Sequence, residues 1–332
     1  MTNAPGSPWA ARIFNLGSAD DFNALALQIF RYQAKSVPIY RDFVGALKID
    51  VNQVAQVEDI PFLPISFFKT QRVISEGLSP AITFQSSGTT GMVRSEHLVA
   101  DVSLYEQSFN LEFERQYGPA EDWCILALLP SYLERDGSSL IYMAEKLIAQ
   151  SRFRESGFYL RHQGELVEQL QNLEKRSVPT LLLGVSYALL DLAEQLPFPL
   201  KSTVVMETGG MKGRRKEMIK AALHAQLQKG FGPQPIHSEY GMTELLSQAY
   251  SQGKGRFTGP PWFRALVRDA NDPLTLLEAE QAGGLNLIDL ANVHSCSFIA
   301  TQDLGRVYEN GTFEVLGRFD HSDIRGCNLL VD

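Results

Sequence analysis

The hydrophobic positions of the N-terminal region recur at helical intervals. Ser18 and the acidic residues that follow it are typical of a helix start, and the apolar residues behind them fall on one helical face, namely Phe22, Leu25, Ile29 and Phe30. Residues 40–47 continue with a second helical pattern. Residues 60–69 contain two prolines, so this segment is predicted to be an extended, buried connector.

From residue 81 onward, short apolar runs alternate with amphipathic segments. Strands are predicted at 81–84, 124–129, 180–183 and 203–206, and helices at 102–117, 138–149, 187–195 and 215–228. After about residue 251 the pattern changes to short strands between turns, at 266–268, 284–289, 297–301, 305–309 and 312–316. This order predicts an α/β fold with a mostly parallel sheet over 1–250, followed by a small β-rich subdomain over 251–332.

Composition narrows the classes of partner. Acidic residues outnumber basic ones by 38 to 30, which gives a formal charge of -8 and argues against nucleic acid as a partner. No apolar run approaches the roughly 18 residues of a membrane span. The N-terminus does not have the pattern of a secretion signal, and three cysteines are too few for a disulfide framework. We therefore expect a cytoplasmic protein.

The segment Ser86-Ser-Gly-Thr-Thr-Gly91 directly follows a predicted strand. Its glycines allow the backbone N–H groups to approach an anion, and its hydroxyl groups add hydrogen-bond donors; the residues concerned are Ser86, Ser87, Gly88, Thr89, Thr90 and Gly91. The Gly-Lys-Ser/Thr ending of a P-loop is missing. The segment is either a phosphate-binding loop or an ordinary turn, and Arg94 just behind it is either a phosphate ligand or a surface charge.

A second segment, Ser238–Glu244, combines residue types that suit a nucleotide. Tyr240 beside Gly241 can stack on a base, Thr243 offers a hydroxyl group to a phosphate, and Glu244 offers an oxygen ligand for Mg²⁺. The alternative is a polar loop that starts a helix, with Thr243 as its cap.

Two further residues are predicted to lie at strand ends. Asp303 and Arg318 could hold a ribose diol between them. Each residue taken alone is more often a turn aspartate or an exposed arginine.

In their order and spacing these segments resemble the adenylate-forming superfamily of acyl-CoA synthetases, firefly-type luciferases and peptide-synthetase adenylation domains. The resemblance implies that residues 86–91 bind the ATP phosphates and that Asp303 and Arg318 bind the ribose. It implies a base-stacking role for Tyr240, a phosphate contact for Thr243 and a Mg²⁺ contact for Glu244. Gly209 and Gly210 match the glycine pair that lines the adenine pocket of this superfamily.

Other segments resemble the acyl-protein synthetase branch, which includes the fatty-acid-activating subunits of bacterial bioluminescence operons. They are Phe62–Lys69, Ser95–His97, Leu129–Arg135 with Ser138-Ser139, and Arg325–Asn328. This resemblance implies ATP-dependent activation of a fatty acid, followed by acyl transfer to a cysteine near the C-terminus. Cys327 matches that position, whereas Cys124 and Cys296 lie in apolar surroundings typical of core residues. An acyl-reductase subunit is the implied recipient of the acyl group.

The chain departs from the superfamily in one respect. The resemblance ends at Gly317-Arg-Phe-Asp320 and the residues just after it, where most members continue into a small C-terminal domain that supplies a lysine to the adenylation step. We expect Mg²⁺, Arg94, Lys69 or a partner subunit to supply that charge. Two alternatives remain, namely a ligase that uses coenzyme A or a carrier protein, and a nucleotide-binding scaffold without activity. His97 and His237 flank the nucleotide segments, and a functional role competes with simple hydrogen bonding for both.

Overall fold

The computed structural model describes residues 8–86, 93–129, 137–159, 163–210, 215 and 218–319. The helices are α1 (Ala10–Phe14), α2 (Ala19–Ser36), α3 (Pro38–Ala46), α4 (Phe67–Thr70), α5 (Val102–Tyr117), α6 (Ser139–Gln150), α7 (Gln163–Lys175), α8 (Ser186–Ala193) and α9 (Lys220–Phe231). The first strands are β1 (Leu63–Pro64), β2 (Ile82–Gln85), β3 (Glu96–Val99), β4 (Cys124–Leu128), β5 (Gly157–Phe158), β6 (Thr180–Val185) and β7 (Thr203–Thr208). The remaining strands are β8 (His237–Tyr240), β9 (Ala249–Ser251), β10 (Phe263–Arg268), β11 (Ala282–Asp289), β12 (Phe298–Val307) and β13 (Phe313–Arg318).

The predicted start of the long N-terminal helix is confirmed. The hydroxyl oxygen of Ser18 accepts a hydrogen bond from the backbone N–H of Asp21, which satisfies one of the free donors at the start of α2. The four predicted apolar residues of α2 are buried. Pro38 then begins α3 at a position where its missing N–H is not needed.

A six-stranded sheet forms the centre of the molecule, in the order β5-β4-β6-β7-β8-β9. The strands from β5 to β8 are parallel, and only β9 is antiparallel to its neighbour. Helix α6 packs against β4, and α8 packs against β6, β7 and α9. The predicted α/β fold with a mostly parallel sheet is therefore confirmed. Because β7 and β8 are parallel neighbours, Thr208 and Tyr240 end at the same edge of the sheet, where α/β proteins bind ligands.

The second sheet has five strands, in the order β1-β12-β11-β10 with β13 pairing to the other part of β12. Its strands are antiparallel except for β1, which comes from the N-terminal region and runs parallel to β12. The register of β12 and β13 places Asp303 directly opposite Arg318. The division of the chain at residue 250 into two domains stays a prediction.

The two-stranded sheet β2–β3 is a feature that the sequence pattern did not predict. Its antiparallel register runs from Ile82 opposite Val99 to Gln85 opposite Glu96. The hairpin thereby holds both ends of the segment 87–92, which lies outside the described residues.

Three predicted element boundaries are wrong. Residues 297–301 and 305–309 were expected as two strands, but β12 continues across Gly305, and the irregularity appears as a register shift next to this glycine. The connector 60–69 ends in the short helix α4, since its prolines restrict only the residues before and at them. The helix predicted at 215–228 begins only at Lys220, after the extended residue Ile219.

None of the helices in the described part of the chain has the length and apolar character that crossing a lipid bilayer demands.

Candidate functional site

A cavity of about 450 Å³ lies at the carboxyl ends of β7 and β8. Its lining includes residues from four predicted nucleotide segments, namely Ser86, Gly209, Gly241, Thr243, Glu244 and Arg318, whereas Asp303 itself is not among the lining residues. These residues come from the β2–β3 hairpin, the end of β7, the loop after β8 and the end of β13. The fold therefore brings four distant segments of the chain to one cleft.

Asp303 lies at the centre of a hydrogen-bonded group beside the cavity. The hydroxyl group of Tyr240 donates to Asp303 Oδ2 at 2.8 Å, and Arg318 Nε donates to Asp303 Oδ1 at 3.2 Å. Asp303 is buried, whereas the side chain of Arg318 is mostly exposed and lines the cavity. Each carboxylate oxygen keeps lone pairs that can accept a further hydrogen bond, so Asp303 can still receive a hydroxyl group.

Tyr240 is fixed by aromatic neighbours as well as by this hydrogen bond. Its ring centroid lies 5.4 Å from that of Phe313 in an edge arrangement and 5.7 Å from that of Phe257. Burial raises the pKa of the Tyr240 hydroxyl well above its usual range, and the nearby Asp303 carboxylate adds to this effect. Tyr240 therefore stays protonated and acts as a donor to Asp303. Tyr240 and Asp303 are adjacent in sequence to Gly241 and Gln302, which line the cavity.

The loop that carries Thr243 and Glu244 is held in place by His97 and Asn292. His97 Nδ1 lies 2.8 Å from the carbonyl oxygen of Thr243, and Asn292 Nδ2 donates to the carbonyl oxygen of Glu244 at 2.7 Å. His97 Nε2 also lies 2.9 Å from Asn292 Oδ1. Burial lowers the pKa of His97 to about 4, although its hydrogen bonds act in the opposite direction. His97 is therefore neutral near pH 7 and donates to one of its two oxygen neighbours at a time.

Glu244 is a buried carboxylate that faces the cavity. Burial raises its pKa, while a hydrogen bond from Ser95 and the charges of Arg318 and Lys69 partly offset this effect. A Mg²⁺ ion bound to a nucleotide usually takes one or two protein carboxylates and several phosphate and water oxygens. The single carboxylate of Glu244 fits this pattern. In the described ranges no group of three or more His, Cys, Asp or Glu side chains forms a metal site on its own.

The predicted phosphate loop is described only at its first residue. Ser86 pairs with Ser95 through two hydrogen bonds, since Ser86 N donates to Ser95 O at 3.0 Å and Ser95 N donates to Ser86 Oγ at 2.9 Å. Ser87, Gly88, Thr89, Thr90 and Gly91 lie outside the described residues. Arg94 is exposed and is not among the described residues that line the cavity, whereas Lys69 does line it.

The glycine pair follows β7 directly. Gly209 has a positive φ of 66°, and its carbonyl oxygen accepts a hydrogen bond from Ser186 Oγ at 2.8 Å. Gly209 lines the cavity, and Gly210 is exposed. The conformation of Gly209 is one that residues with a Cβ rarely adopt, which explains a glycine at this position.

Neither His237 nor the two described cysteines belong to the cavity lining. His237 Nδ1 lies 3.1 Å from the hydroxyl group of Tyr117, and burial lowers the pKa of His237 to about 4. Burial raises the pKa of the thiol to about 11 for Cys124 and to about 12 for Cys296, so both are unreactive core residues. Cys327 lies outside the described residues.

Several polar residues in or beside the cavity were not predicted from the sequence. Glu239 and Gln248 are buried and line the cavity near Gly241. Asn292 supports the Glu244 backbone from the loop after β11. A glutamate directly before Tyr240 was visible in the sequence, but its burial was not, because it depends on packing between strands.

Comparison with known proteins agrees with this geometry. Residues 16–130 match the family described as acyl-protein synthetase, LuxE. A long-chain-fatty-acid–luciferin-component ligase from Photorhabdus luminescens is 36% identical over 69 residues, which are 20% of this chain and 59% of that protein. The chain thus spans less than two thirds of this relative. The predicted resemblance to the acyl-protein synthetase family is confirmed.

Solved structures show the same fold at low sequence identity. A 2-hydroxyisobutyryl-CoA ligase in complex with 2-HIB-AMP and CoA gives a TM-score of 0.69 at 12% identity, covering 96% of this chain and 74% of that one. ATP-bound MatB from Rhodopseudomonas palustris gives a TM-score of 0.54 at 18% identity, covering 74% of this chain and 49% of that one. The fold is therefore that of the adenylate-forming enzymes.

Proposed function

We propose that this protein is an ATP-dependent ligase that converts a fatty acid to acyl-AMP and passes the acyl group to Cys327. The observation that carries the proposal is that residues of four distant nucleotide segments line one cavity, in a chain that matches the acyl-protein synthetase family. The relative from Photorhabdus luminescens, named as a long-chain-fatty-acid ligase, supports a fatty acid as the substrate class.

In the first step, a carboxylate oxygen of the acid attacks the α-phosphorus of ATP. The bond from this phosphorus to the bridging oxygen breaks, and pyrophosphate leaves with the electron pair. Residues 86–91 and Thr243 bind the phosphate oxygens in this proposal, and Lys69 is the better placed of the two predicted cations, because it lines the cavity while Arg94 is exposed. Fixed donors around a developing charge lower the barrier without reorganisation of solvent.

The nucleoside end of ATP is assigned to the group around Asp303. Asp303 accepts a ribose hydroxyl, Arg318 covers the ribose, and Tyr240 stacks on the base opposite Gly209 and Gly210. The hydrogen bonds that orient Asp303 support this assignment, because Tyr240 and Arg318 hold both of its oxygens and Arg318 lines the cavity.

Glu244 is proposed to hold Mg²⁺ together with phosphate oxygens. When bound, the ion neutralises charge on the phosphates and on the departing pyrophosphate. The contribution of the chain is to offset part of the effect of burial on Glu244 through the charges of Arg318 and Lys69, and to fix the backbone of the loop through His97 and Asn292.

In the second step, the thiolate of Cys327 attacks the carbonyl carbon of acyl-AMP, AMP leaves, and a thioester remains on the protein. This order splits a difficult transfer into two easier ones. Cys124 and Cys296 are buried with raised thiol pKa values, which leaves Cys327 as the candidate acceptor. A reductase subunit that takes the acyl group would complete the sequence, in a cytoplasm where thiols stay reduced.

Two measurements on the same variants test this proposal. Fatty acids of increasing length are screened for acid-dependent exchange of pyrophosphate into ATP, and the protein is then tested for covalent labelling by radioactive acid. We expect Cys327→Ser to retain the exchange and to lose the label. Cys124→Ala is the matched control and retains both.

The outcomes separate the two halves of the proposal. Labelling that survives in Cys327→Ser would exclude this cysteine as the acceptor, and transfer to added coenzyme A in its place would identify a coenzyme A ligase. Binding of ATP without exchange for any acid would indicate a scaffold without activity.

A further inference from the structure

Glu239 is a buried carboxyl group that the proposed adenylation chemistry leaves unused. Its side chain lines the cavity, and the residue is only 8% exposed. Glu239 Oε2 accepts a hydrogen bond from Thr208 Oγ1 at 2.5 Å. The second carboxylate oxygen, Glu239 Oε1, receives no hydrogen bond from any side chain among the described residues. Because Glu239 lines the cavity, a ligand there can donate a hydrogen bond to this oxygen.

Glu207, the neighbouring glutamate on β7, has a cationic partner that Glu239 lacks among the described residues. Lys220 Nζ donates to Glu207 Oε1, and His224 lies within 3.5 Å of the same oxygen, so Glu207 has a cationic partner. These partners outweigh burial and hold the pKa of Glu207 at about 2. Among the described residues Glu239 has no such cation in contact, and burial raises its pKa to about 7. Its second carboxylate oxygen can therefore accept a hydrogen bond from a group bound in the cavity.

The side chains of Glu239 and Tyr240 lie on opposite faces of strand β8 and contact different residues. Successive side chains of β8 point to opposite faces, so Glu239 and Tyr240 face different sides. The Tyr240 hydroxyl contacts Asp303, whereas Glu239 contacts Thr208. Glu239 therefore belongs to the same cavity, next to Gly241, but is not one of the side chains that contact Asp303.

The surroundings of Glu239 are polar on one side. A Cβ placed on Gly241 would lie 2.5 Å from Glu239 Oε1 and 3.6 Å from Gln248 Nε2, so both side chains flank this glycine. Tyr105 also lines the cavity, and its hydroxyl group donates to the carbonyl oxygen of Ser139 at 2.9 Å. Gln248 Oε1 is buried and has no hydrogen-bond partner in the described part of the chain. Leu140 and Met143 supply apolar contacts to the same cavity.

We propose that Glu239 binds a hydroxyl group of the acid substrate, so that the protein selects hydroxylated carboxylic acids over unsubstituted acids of the same length. This inference rests on the proposed function, since it concerns the acid that is adenylated. A hydroxyl group suits Glu239 because it can donate to the carboxylate and accept from the protonated acid. The apolar side chains of Leu140 and Met143 suit the hydrocarbon part of such an acid.

The test compares matched acids in the pyrophosphate exchange assay. Straight-chain acids of several lengths are each supplied as the unsubstituted, the 2-hydroxy and the 3-hydroxy form. We expect the wild-type protein to prefer at least one hydroxylated acid by about 100-fold in kcat/KM, because an unsubstituted acid leaves buried polar groups unpaired.

Two substitutions of Glu239 assign the preference to this residue. Glu239→Leu is expected to remove most of the preference and to retain exchange with unsubstituted acids. Glu239→Gln keeps a side chain that can form hydrogen bonds, and this variant is expected to retain part of the preference for hydroxylated acids. Glu278→Leu, which changes an exposed carboxylate outside the cavity lining, is the control and leaves the preference unchanged.

Three outcomes would overturn the inference. Wild-type protein that uses unsubstituted acids as well as the hydroxylated ones contradicts it directly. A preference that persists in Glu239→Leu moves the selection to another residue, and a preference for amino acids over hydroxy acids indicates an ammonium partner. Absence of exchange with every acid refutes the proposed adenylation itself and removes the basis of this inference.

Discussion

The carboxylate of Asp303 is shared between Tyr240 and Arg318, so a substitution there affects both. Asp303→Asn keeps the size of the side chain and removes its charge. Charge-assisted hydrogen bonds contribute about 1.5–3 kcal/mol, so we expect the KM for ATP to rise roughly 10- to 100-fold with little change in the KM for the acid. Steady-state exchange kinetics with each substrate varied in turn measure both values. An unchanged KM for ATP would remove Asp303 from the nucleotide site.

The lowered pKa of His97 leads to a second prediction, which concerns how the free energy of unfolding depends on pH. The folded protein lowers the pKa of His97 from 6.5 to about 4, so protonation favours the unfolded chain. The contribution of neutral His97 to the free energy of unfolding is fully present above pH 6.5 and is lost as the pH falls from 6.5 to 4. The maximum loss is about 3 kcal/mol.

The substitution His97→Gln removes this titration. We expect the difference in unfolding free energy between the wild type and this variant to shrink as the pH is lowered from 7 to 4.5. Urea unfolding at several pH values measures this difference, with His237→Gln as the comparison, since His237 has a similarly lowered pKa but contacts Tyr117 and not the loop of Thr243. If His97 also orients the loop of Thr243, only His97→Gln lowers the exchange rate. A constant difference across this pH range would contradict the titration argument.

The sequence identified the residues of the site that stand in short contiguous motifs. Tyr240, Thr243 and Glu244 lie within five positions of one another, and the chemistry of each residue type indicated its use. Asn292 lies outside these motifs, and Glu239, although it directly precedes Tyr240, was given no role by its residue type alone. Asn292 reaches His97 across 195 positions, and the partner of Glu239 is on a different strand. Only the folded sheet shows that these side chains meet.

At the scale of elements, β12 depends on a glycine at its register shift. A Cβ on Gly305 would lie 2.4 Å from the carbonyl oxygen of Glu314 and 2.7 Å from the side chain of Leu285. Gly317, on the neighbouring strand β13, has open space at the same position. We expect Gly305→Ala to destabilise the protein by about 1–3 kcal/mol and Gly317→Ala to have a much smaller effect.

Thermal unfolding of the two glycine variants tests this difference under identical conditions. Because both glycines lie on paired strands of one sheet, the comparison separates steric crowding from the general effect of replacing a glycine in a strand. Equal melting temperatures for the two variants would show that the β12 backbone moves to accept a side chain.

Element types were predictable where the hydrophobic pattern is long and regular. Helix α5 has the bounds expected from its sequence, and the central strands β4, β6 and β7 appear where apolar runs predicted them. The pattern was ambiguous where an element carries a glycine, as in β12, or is very short, as in β1 and α4. In these places, pairing with strands distant in sequence determines the structure.

At the scale of the whole molecule, the cavity joins the two larger sheets. Thr243 and Glu244 follow β8 of the central sheet, whereas Asp303 and Arg318 belong to β12 and β13 of the second sheet. A nucleotide that contacts both sets stabilises the sheets together. A ligand present at 100 times its Kd raises the unfolding free energy by about 2.7 kcal/mol, so we expect ATP with Mg²⁺ to raise the melting temperature by several degrees.

Glu244→Gln divides this stabilisation into two parts. The amide keeps the shape of the side chain but is a much weaker ligand for Mg²⁺ than a carboxylate, so the extra increase caused by adding Mg²⁺ to ATP is expected to disappear. The increase caused by ATP alone is expected to remain, since we propose that Asp303, Arg318 and the phosphate loop bind the nucleotide itself. The same measurement on Asp303→Asn should give the reverse result. ATP alone should raise the melting temperature less than it does in the wild type, and the further increase caused by Mg²⁺ should be retained. If Glu244→Gln instead loses both increments, the two sheets do not bind separate ends of one nucleotide.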